Sequence, residues 1–351
     1  MRSARRSTLA TAAITTLLGC GLAGAGSASA ATPSPFPTIT PKIGTPFPYI
    51  GLVRAAGEDR YGTAAVISQG SFAPSPGSSV FLTSGEAPAD ALTAGPAAAS
   101  LDAPLLLTPA AALAPAAAAE LTRLAPATVY VVGGADRVPE AVLTAVRSAA
   151  PGASVERIAG TTRYETAVAV AQRFFPDAEG VVVSRGDTFP DALSGGAAAA
   201  AAGVPLMITE PTALPAPVST WLAGQTFDAA LVVGGTSSVS ESTAAAVAAR
   251  VSDPADVTRV GGADRYATSA LVATAVFADA TTALIATGEN FPDALAGVPA
   301  AAVNLAPILL VRPQCTPLPI FDYVASSAIT SEIVLGGPDV VTADSLLTNC
   351  A

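Results

Sequence analysis

The chain contains no histidine in 351 residues, and that absence removes several chemistries at once. No Ser-His-Asp or Cys-His arrangement can form, and a zinc amidase or protease that relies on histidine ligands is excluded. Cysteine is nearly as scarce: Cys20, Cys315 and Cys350 are too few and too scattered for a cluster. Transition metals have no obvious ligands, so no metal site and no cofactor is expected. Charge is also sparse and largely of one sign. Three of the 17 basic residues fall within the first thirty positions, so the remaining chain carries 27 acidic residues against 14 basic ones, a balance of −13. Such a field opposes any general attraction to nucleic acid or to an anionic membrane. An anionic ligand has to be held by local arginines against it. Beyond the N-terminus every long apolar stretch is interrupted by charge, proline or glycine, which predicts no transmembrane span.

What is present begins with an export signal over residues 1–30. Arg2, Arg5 and Arg6 form a basic start, an apolar run follows from about Leu9 to Ala25, and Ala28-Ser29-Ala30 predicts cleavage after Ala30. Leu17-Leu18-Gly19-Cys20 offers the competing reading, a loose lipobox that would make Cys20 a lipidated anchor. Once the signal is gone, Cys315 and Cys350 form an even pair in an exported chain. One disulfide pinning the C-terminal tail to the third repeat is therefore expected. Residues 31–50 hold six prolines, from Pro33 to Pro48, a composition that suits an extended leader.

The rest of the chain is one unit used three times. Arg54-Ala-Ala-Gly57-Glu-Asp-Arg60-Tyr61-Gly-Thr63 returns as Arg157-Ile-Ala-Gly160-Thr-Thr-Arg163-Tyr164-Glu-Thr166 and as Arg259-Val-Gly-Gly262-Ala-Asp-Arg265-Tyr266-Ala-Thr268. The copies stand 103 and 102 positions apart, measured between Arg60, Arg163 and Arg265. They divide the chain into repeats at 51–153, 154–255 and 256–351. In the first copy Thr63 is expected to cap a helix through about Ser68. Short apolar strands are expected at Val80–Thr83, Pro104–Thr108, Thr128–Val132 and Val155–Ile158, with helices from Asp90, over Pro115–Leu124 and over Pro139–Ser148. Runs such as Val181-Val-Val-Ser184 and Pro307-Ile-Leu-Leu-Val311 repeat the pattern. This alternation predicts α/β units, each a mostly parallel sheet covered by helices on both faces. Units of about 100 residues hold only modest cores, so contact between copies is expected. Alanine runs such as Ala197–Ala202 read as close helix packing.

Three ordered copies of R-x-x-G-x-x-R-Y-x-T, each followed by P-D-A-L or a variant and then by V-V-G-G, resemble the cell wall-binding repeat family type 2. The resemblance implies three similar Rossmann-like or toprim-like domains about a pseudo-threefold axis. It also implies a secreted, wall-associated protein of Gram-positive type that binds wall polymer, teichoic or another glycan. Family members often add a catalytic region such as a wall amidase; the repeats here fill the mature chain, so no enzyme activity is expected. The first copy departs from the pattern with Pro88-Ala89-Asp90, against Phe189-Pro190-Asp191 and Phe291-Pro292-Asp293. The third replaces a threonine with Val311-Arg312-Pro313.

The candidate ligand contacts are Arg60, Arg163 and Arg265, which can fork onto a carboxylate or phosphate, and Tyr61, Tyr164 and Tyr266, which offer a hydroxyl and a flat face. Asp90, Asp191 and Asp293 complete the set. The competing reading makes each arginine an internal brace paired with the aspartate of its own domain, each tyrosine a packing residue, and each aspartate a helix N-cap. Glu86, Asp187 and Glu289 are the local candidates for a second acid, but a tripled arrangement reads as structural rather than as glycosidase chemistry. Gly133-Gly134, Gly234-Gly235 and Gly336-Gly337 follow strands, where backbone N–H groups can turn tightly or meet an anion. A surface protein that assembles through its repeats, with self-association, is the alternative function.

Overall fold

The computed structural model describes residues 51–290, 292–346 and 348–350. The export signal, Cys20, the leader and Phe291 lie outside the described residues. The chain opens with β1 (Gly51–Ala55), α1 (Arg60–Ser71), β2 (Ser79–Ser84), α2 (Pro88–Ser100), β3 (Leu105–Thr108), α3 (Pro115–Leu124), β4 (Thr128–Val132), α4 (Glu140–Ala149) and β5 (Ser154–Ile158). The second copy supplies α5 (Arg163–Phe174), β6 (Gly180–Arg185), α6 (Pro190–Ala202), β7 (Leu206–Thr209), α7 (Ala216–Ala223), β8 (Ala229–Val233), α8 (Glu241–Ala248) and β9 (Val257–Val260). The third gives α9 (Arg265–Val276), β10 (Thr282–Thr287), α10 (Pro292–Leu295), α11 (Gly297–Val303), β11 (Ile308–Val311), β12 (Thr316–Pro317), α12 (Leu318–Ser326), β13 (Ser331–Leu335) and β14 (Asn349–Cys350).

These elements build three parallel four-stranded sheets, ordered β3-β2-β4-β5, β7-β6-β8-β9 and β11-β10-β13-β1. The strand that carries the first arginine of each motif adds to the sheet of the preceding copy. β5 pairs with β4, setting Arg157 opposite Val131, and β9 pairs with β8, setting Arg259 opposite Val232. β1 has no preceding copy, so it pairs with β13, Arg54 opposite Val334, and closes the three units into a ring. Strands such as β3 are apolar because both faces are covered; Leu105, Leu106 and Leu107 are all buried.

At the centre of the ring α2, α6 and α11 pack against one another. Their small residues are what permits this. A Cβ added to Gly95 would fall 2.8 Å from the side chain of Val298, one copy away. The expected inter-copy contact is thus a shared alanine-rich core, with Ala91, Ala94, Ala198 and Ala301 buried in it. It has the threefold character that the family resemblance implied.

Two local expectations need correction. The helix after each motif starts earlier than the motif threonine: Asp59 is the N-cap, accepting from the Tyr61 and Gly62 amides, and Thr162 and Asp264 cap the other copies, accepting from the Glu165 and Ala267 amides. Asp90 and Asp191 are not N-caps either. Pro88 and Pro190 take the first helical position, where their missing N–H costs nothing, so each aspartate falls inside the first turn and the cap residues Ala87 and Phe189 make no side-chain bond. At the C-terminus Cys315 and Cys350 come together with Cα atoms 5.2 Å apart, beside the short β12–β14 pairing.

Candidate functional site

The repeated motif assembles at the carboxyl ends of the strands, at the joints between copies. Its first arginine is a latch. Arg157 donates from Nη1 to the Gly133 carbonyl and from Nη2 to that of Val138, both at 2.7 Å. Arg54 treats Gly336 and Val341 alike at 2.7 and 2.8 Å, and Arg259 holds Gly234 and Val239 at 3.0 and 2.8 Å. Each arginine of one copy thereby fixes the glycine turn of the copy before it in the ring. Those turns need glycine: Gly133, Gly234 and Gly336 have φ of 122°, 121° and 102°, a region that side chains disfavour.

The second arginine is half committed. Arg60 and Arg163 donate Nη1 to the carbonyls of Gly85 and Gly186 at 2.7 and 2.8 Å, and Arg265 does the same to Gly288. The motif glycine has a separate duty: a Cβ on Gly160 would lie 2.1 Å from that of Glu165, so the chain can fold back over the helix start only without one. The motif threonine then accepts from that glycine's amide, Gly160 to Thr166 at 3.1 Å and Gly57 to Thr63 at 3.2 Å.

The threonine hydroxyl faces a carboxylate of another copy. Asp90 stands by Thr166 and Arg163, Asp191 by Thr268 and Arg265, and Asp293 by Thr63 and Arg60. The expected brace within one domain is therefore corrected to a brace across each joint, because the motif strand belongs to the preceding sheet. Burial pushes all three carboxylates above the usual range, against the pull of the neighbouring arginines, and Asp90, 7% exposed, reaches about 6. Each also lies against the glycine turn of its own copy, where a Cβ on Gly133 would come 2.9 Å from Asp90 Oδ2.

The tyrosines divide. Tyr266 is buried, with the Arg312 guanidinium 5.5 Å from its ring centre, and its ring lies over Gly288 as that of Tyr61 lies over Gly85. Tyr164 is half-buried and lines a hollow of about 470 Å3 between the first and second copies, together with Asp90, Arg163, Glu86, Asp136 and Arg137. Repeat comparison alone misses Arg137, because Ser238 and Val340 occupy its place in the other copies. Its signal is that very departure, three residues beyond the glycine pair of the turn. Among the described residues no group of histidine, cysteine or carboxylate side chains could hold a metal ion, and no helix is long and apolar enough to cross a membrane.

Three α/β units latched into a ring, with a polar hollow at the joint of the first and second copies, define a repeat-built binding module. The chain belongs to the cell wall binding domain 2 family, whose profile matches residues 54–143, 157–244 and 259–346. Each match begins on the latch arginine, Arg54, Arg157 or Arg259. The chain is similar to the N-acetylmuramoyl-L-alanine amidase LytC of Bacillus subtilis (strain 168), 28% identical over 289 residues, covering 82% of this chain and 56% of that protein. It is also similar to the amidase enhancer of the same organism, 26% identical over 294 residues, covering 83% of this chain and 39% of that one. The chain thus spans about half or less of the curated relatives it matches. Among solved structures it resembles Cwp6 from Clostridium difficile, with a TM-score of 0.78 and 25% identity over 89% of this chain and 51% of that one. Cwp8 from the same organism gives 0.74 and 27%, over 84% and 50%. The repeats are cell wall-binding repeats.

Proposed function

We propose that this is an exported, non-catalytic protein that attaches to the bacterial wall by binding a teichoic-type or other glycan polymer in the hollows at the joints of its repeats. The observation that carries the reading is the hollow of about 470 Å3 where Asp90, Arg163 and Tyr164 meet, three residue types that together donate, accept and stack. It lies outside the carboxyl ends of the strands, where open α/β sheets place their ligands. Arg163 is exposed and gives only one of its guanidinium nitrogens to Gly186, so the brace leaves an edge for a ligand. The purified chain is expected to co-sediment with isolated cell walls and to release no soluble product from them. Absence from the pellet would sink the reading, and product release would overturn its non-catalytic part.

Assembly through the repeats draws on a different observation: Leu101, Val303 and Leu305 are exposed around the C-terminal ends of α2 and α11. It predicts oligomers in wall-free buffer and indifference to stripping of wall polymers. Export itself accords with a disulfide between Cys315 and Cys350, whose Cα spacing of 5.2 Å is what such a bond requires. Thiol titration of the denatured, unreduced chain is expected to find neither cysteine reactive; two free thiols would refute the bond.

A further inference from the structure

The ring has a second hollow, on the face away from the joints. It opens at the amino ends of the strands, where the C-terminal ends of α2, α6 and α11 meet the turn before β6, and its volume is about 420 Å3. Alanines of all three helices wall it, with Phe174, Phe175 and Val204. Val303 and Leu305 stand on its edge, 50% and 70% exposed. Its charged lining is acidic, Asp102, Asp177 and Glu179, with no arginine or lysine among the described residues that line it.

Leu305 is out of character there. Asp102, Gly203 and Leu305 are equivalent residues of the three copies, each two before the proline that leads into β3, β7 or β11. All three take the left-handed region, with φ of 51°, 69° and 49°. Glycine and aspartate enter that region readily and leucine does not. A mostly exposed leucine gains little from the described residues to offset its backbone. An apolar cover would supply the contact.

The chain carries a segment of matching character. Residues 31–50 hold none of its 27 acids and include its one lysine, Lys42. Among their six prolines stand Phe36, Ile39, Ile43, Phe47, Tyr49 and Ile50. A proline-rich strand gives up little conformational freedom on docking. The segment also joins the ring on the correct face. It enters at Gly51, whose amide donates to the Thr330 carbonyl at the amino end of β1. In the sheet β11-β10-β13-β1 that point lies three strands from β11, about 14 Å at the usual strand spacing. Leu305 lies three residues ahead of Ile308, where β11 begins. The nine residues from Lys42 to Gly51 span about 28 Å when extended. A second copy fits less well, because it sets the same three carboxylates against these on a chain of like net charge.

We infer that the hollow at the amino ends of the strands is a docking surface for the chain's own leader, residues 31–50, whose apolar side chains cover Val303 and Leu305 while Lys42 lies against Asp102, Asp177 and Glu179. The hollow is at the opposite strand ends from the joints, so the assignment stands apart from the wall-binding reading and its test needs no wall.

Because Lys42 is the only lysine, a zero-length carbodiimide, which joins an amine to a touching carboxylate, reads the contact directly. The full chain from Ala31 onward is to be cross-linked, separated by size and mapped by peptide mass spectrometry. The expected main product is a monomer in which Lys42 is joined to Asp102, Asp177 or Glu179. Leu305→Asn is expected to lower its yield by about fivefold or more, through loss of the apolar contact. Asparagine tolerates the left-handed backbone, so the variant keeps its fold, which its melting temperature verifies; should it unfold, Val303→Ser repeats the test. Lys42 joined mainly to acids elsewhere overturns the docking, as does the absence of any Lys42 product or an unchanged yield in the variant. Lys42 products confined to cross-linked dimers overturn it in favour of a second copy.

Discussion

Arg157→Ala is expected to lower the unfolding free energy by about 4 kcal/mol, as two hydrogen bonds from a charged donor are lost and their carbonyl partners are stranded. The Gly133 and Val138 carbonyls belong to buried residues of the turn after β4, and alanine brings no donor to replace the guanidinium. The same turn carries Arg137 and abuts Asp90, so wall binding is expected to weaken along with stability. Arg147→Ala is the matched control. That arginine pairs with Glu140 on the surface, with side chains 51% and 67% exposed, and its removal is expected to change stability by no more than about 0.5 kcal/mol. Urea unfolding of both variants decides the matter; a loss near zero for Arg157→Ala would show that the glycine turn stands without its latch.

Glu332→Val is expected to raise stability at pH 8 by about 3 kcal/mol, from a shift of between two and three pH units at 1.36 kcal/mol each. Glu332 lies mid-strand in β13, 9% exposed, between Leu52 of β1 and Ala283 of β10. Ile285, Val311, Thr316, Ile320, Phe321, Val324 and Leu346 share its small cavity, and no charged group among them favours ionisation. Burial alone pushes its carboxyl up to about 7. A folded-state value raised above the unfolded one means that the folded chain binds the proton more tightly. Glu332 therefore contributes fully below about pH 4.5, and that contribution is lost as the pH rises through about 7. Asp90, raised to about 6, acts in the same direction over a lower window. The equivalent residues in the other copies are Val129 and Ala230, both buried, so valine fits the site. Urea unfolding at pH 5 and pH 8 should show the gain shrinking at the lower value. An equal or absent gain at both would mean that Glu332 is not ionising within the fold.

The role of neither residue is legible in the sequence, and the reasons differ. Arg157 reads there as one member of a motif whose partners are unknown, because its bonds run 24 and 19 residues back to a turn that looks self-contained. Glu332 is a single acid in an otherwise apolar run, and nothing local says that the strand is covered on both faces. Strands such as Leu105–Thr108 and Thr128–Val132, and helices such as Pro115–Leu124, fall within a residue or two of their expected bounds, since apolar runs, prolines and glycine pairs act over a few neighbours. The caps fared worse. Thr63 and Asp90 have the chemistry of N-caps, but Asp59 stands nearer the true helix start and Pro88 moves the other helix forward. Both side chains were left free to reach another copy.

The sequence by itself determined that residues 51–351 of this protein are one α/β unit repeated three times, that its 351 residues supply no histidine, and that the arginine-tyrosine motif marks each repeat. Those properties follow from residue identity and short-range periodicity. Only the tertiary structure decided which copy's aspartate meets which copy's arginine, and that β1 closes the ring on β13. A strand pairs with whichever sheet edge is open to it, and the N-terminal strand, with no copy before it, is met by the free edge of the last sheet 282 residues away at Gly336. Ring closure sets Asp293 beside Arg60, and the addition of β5 to the first sheet sets Asp90 beside Arg163 and Tyr164, so the grouping of these residues into a site is a consequence of strands crossing between copies.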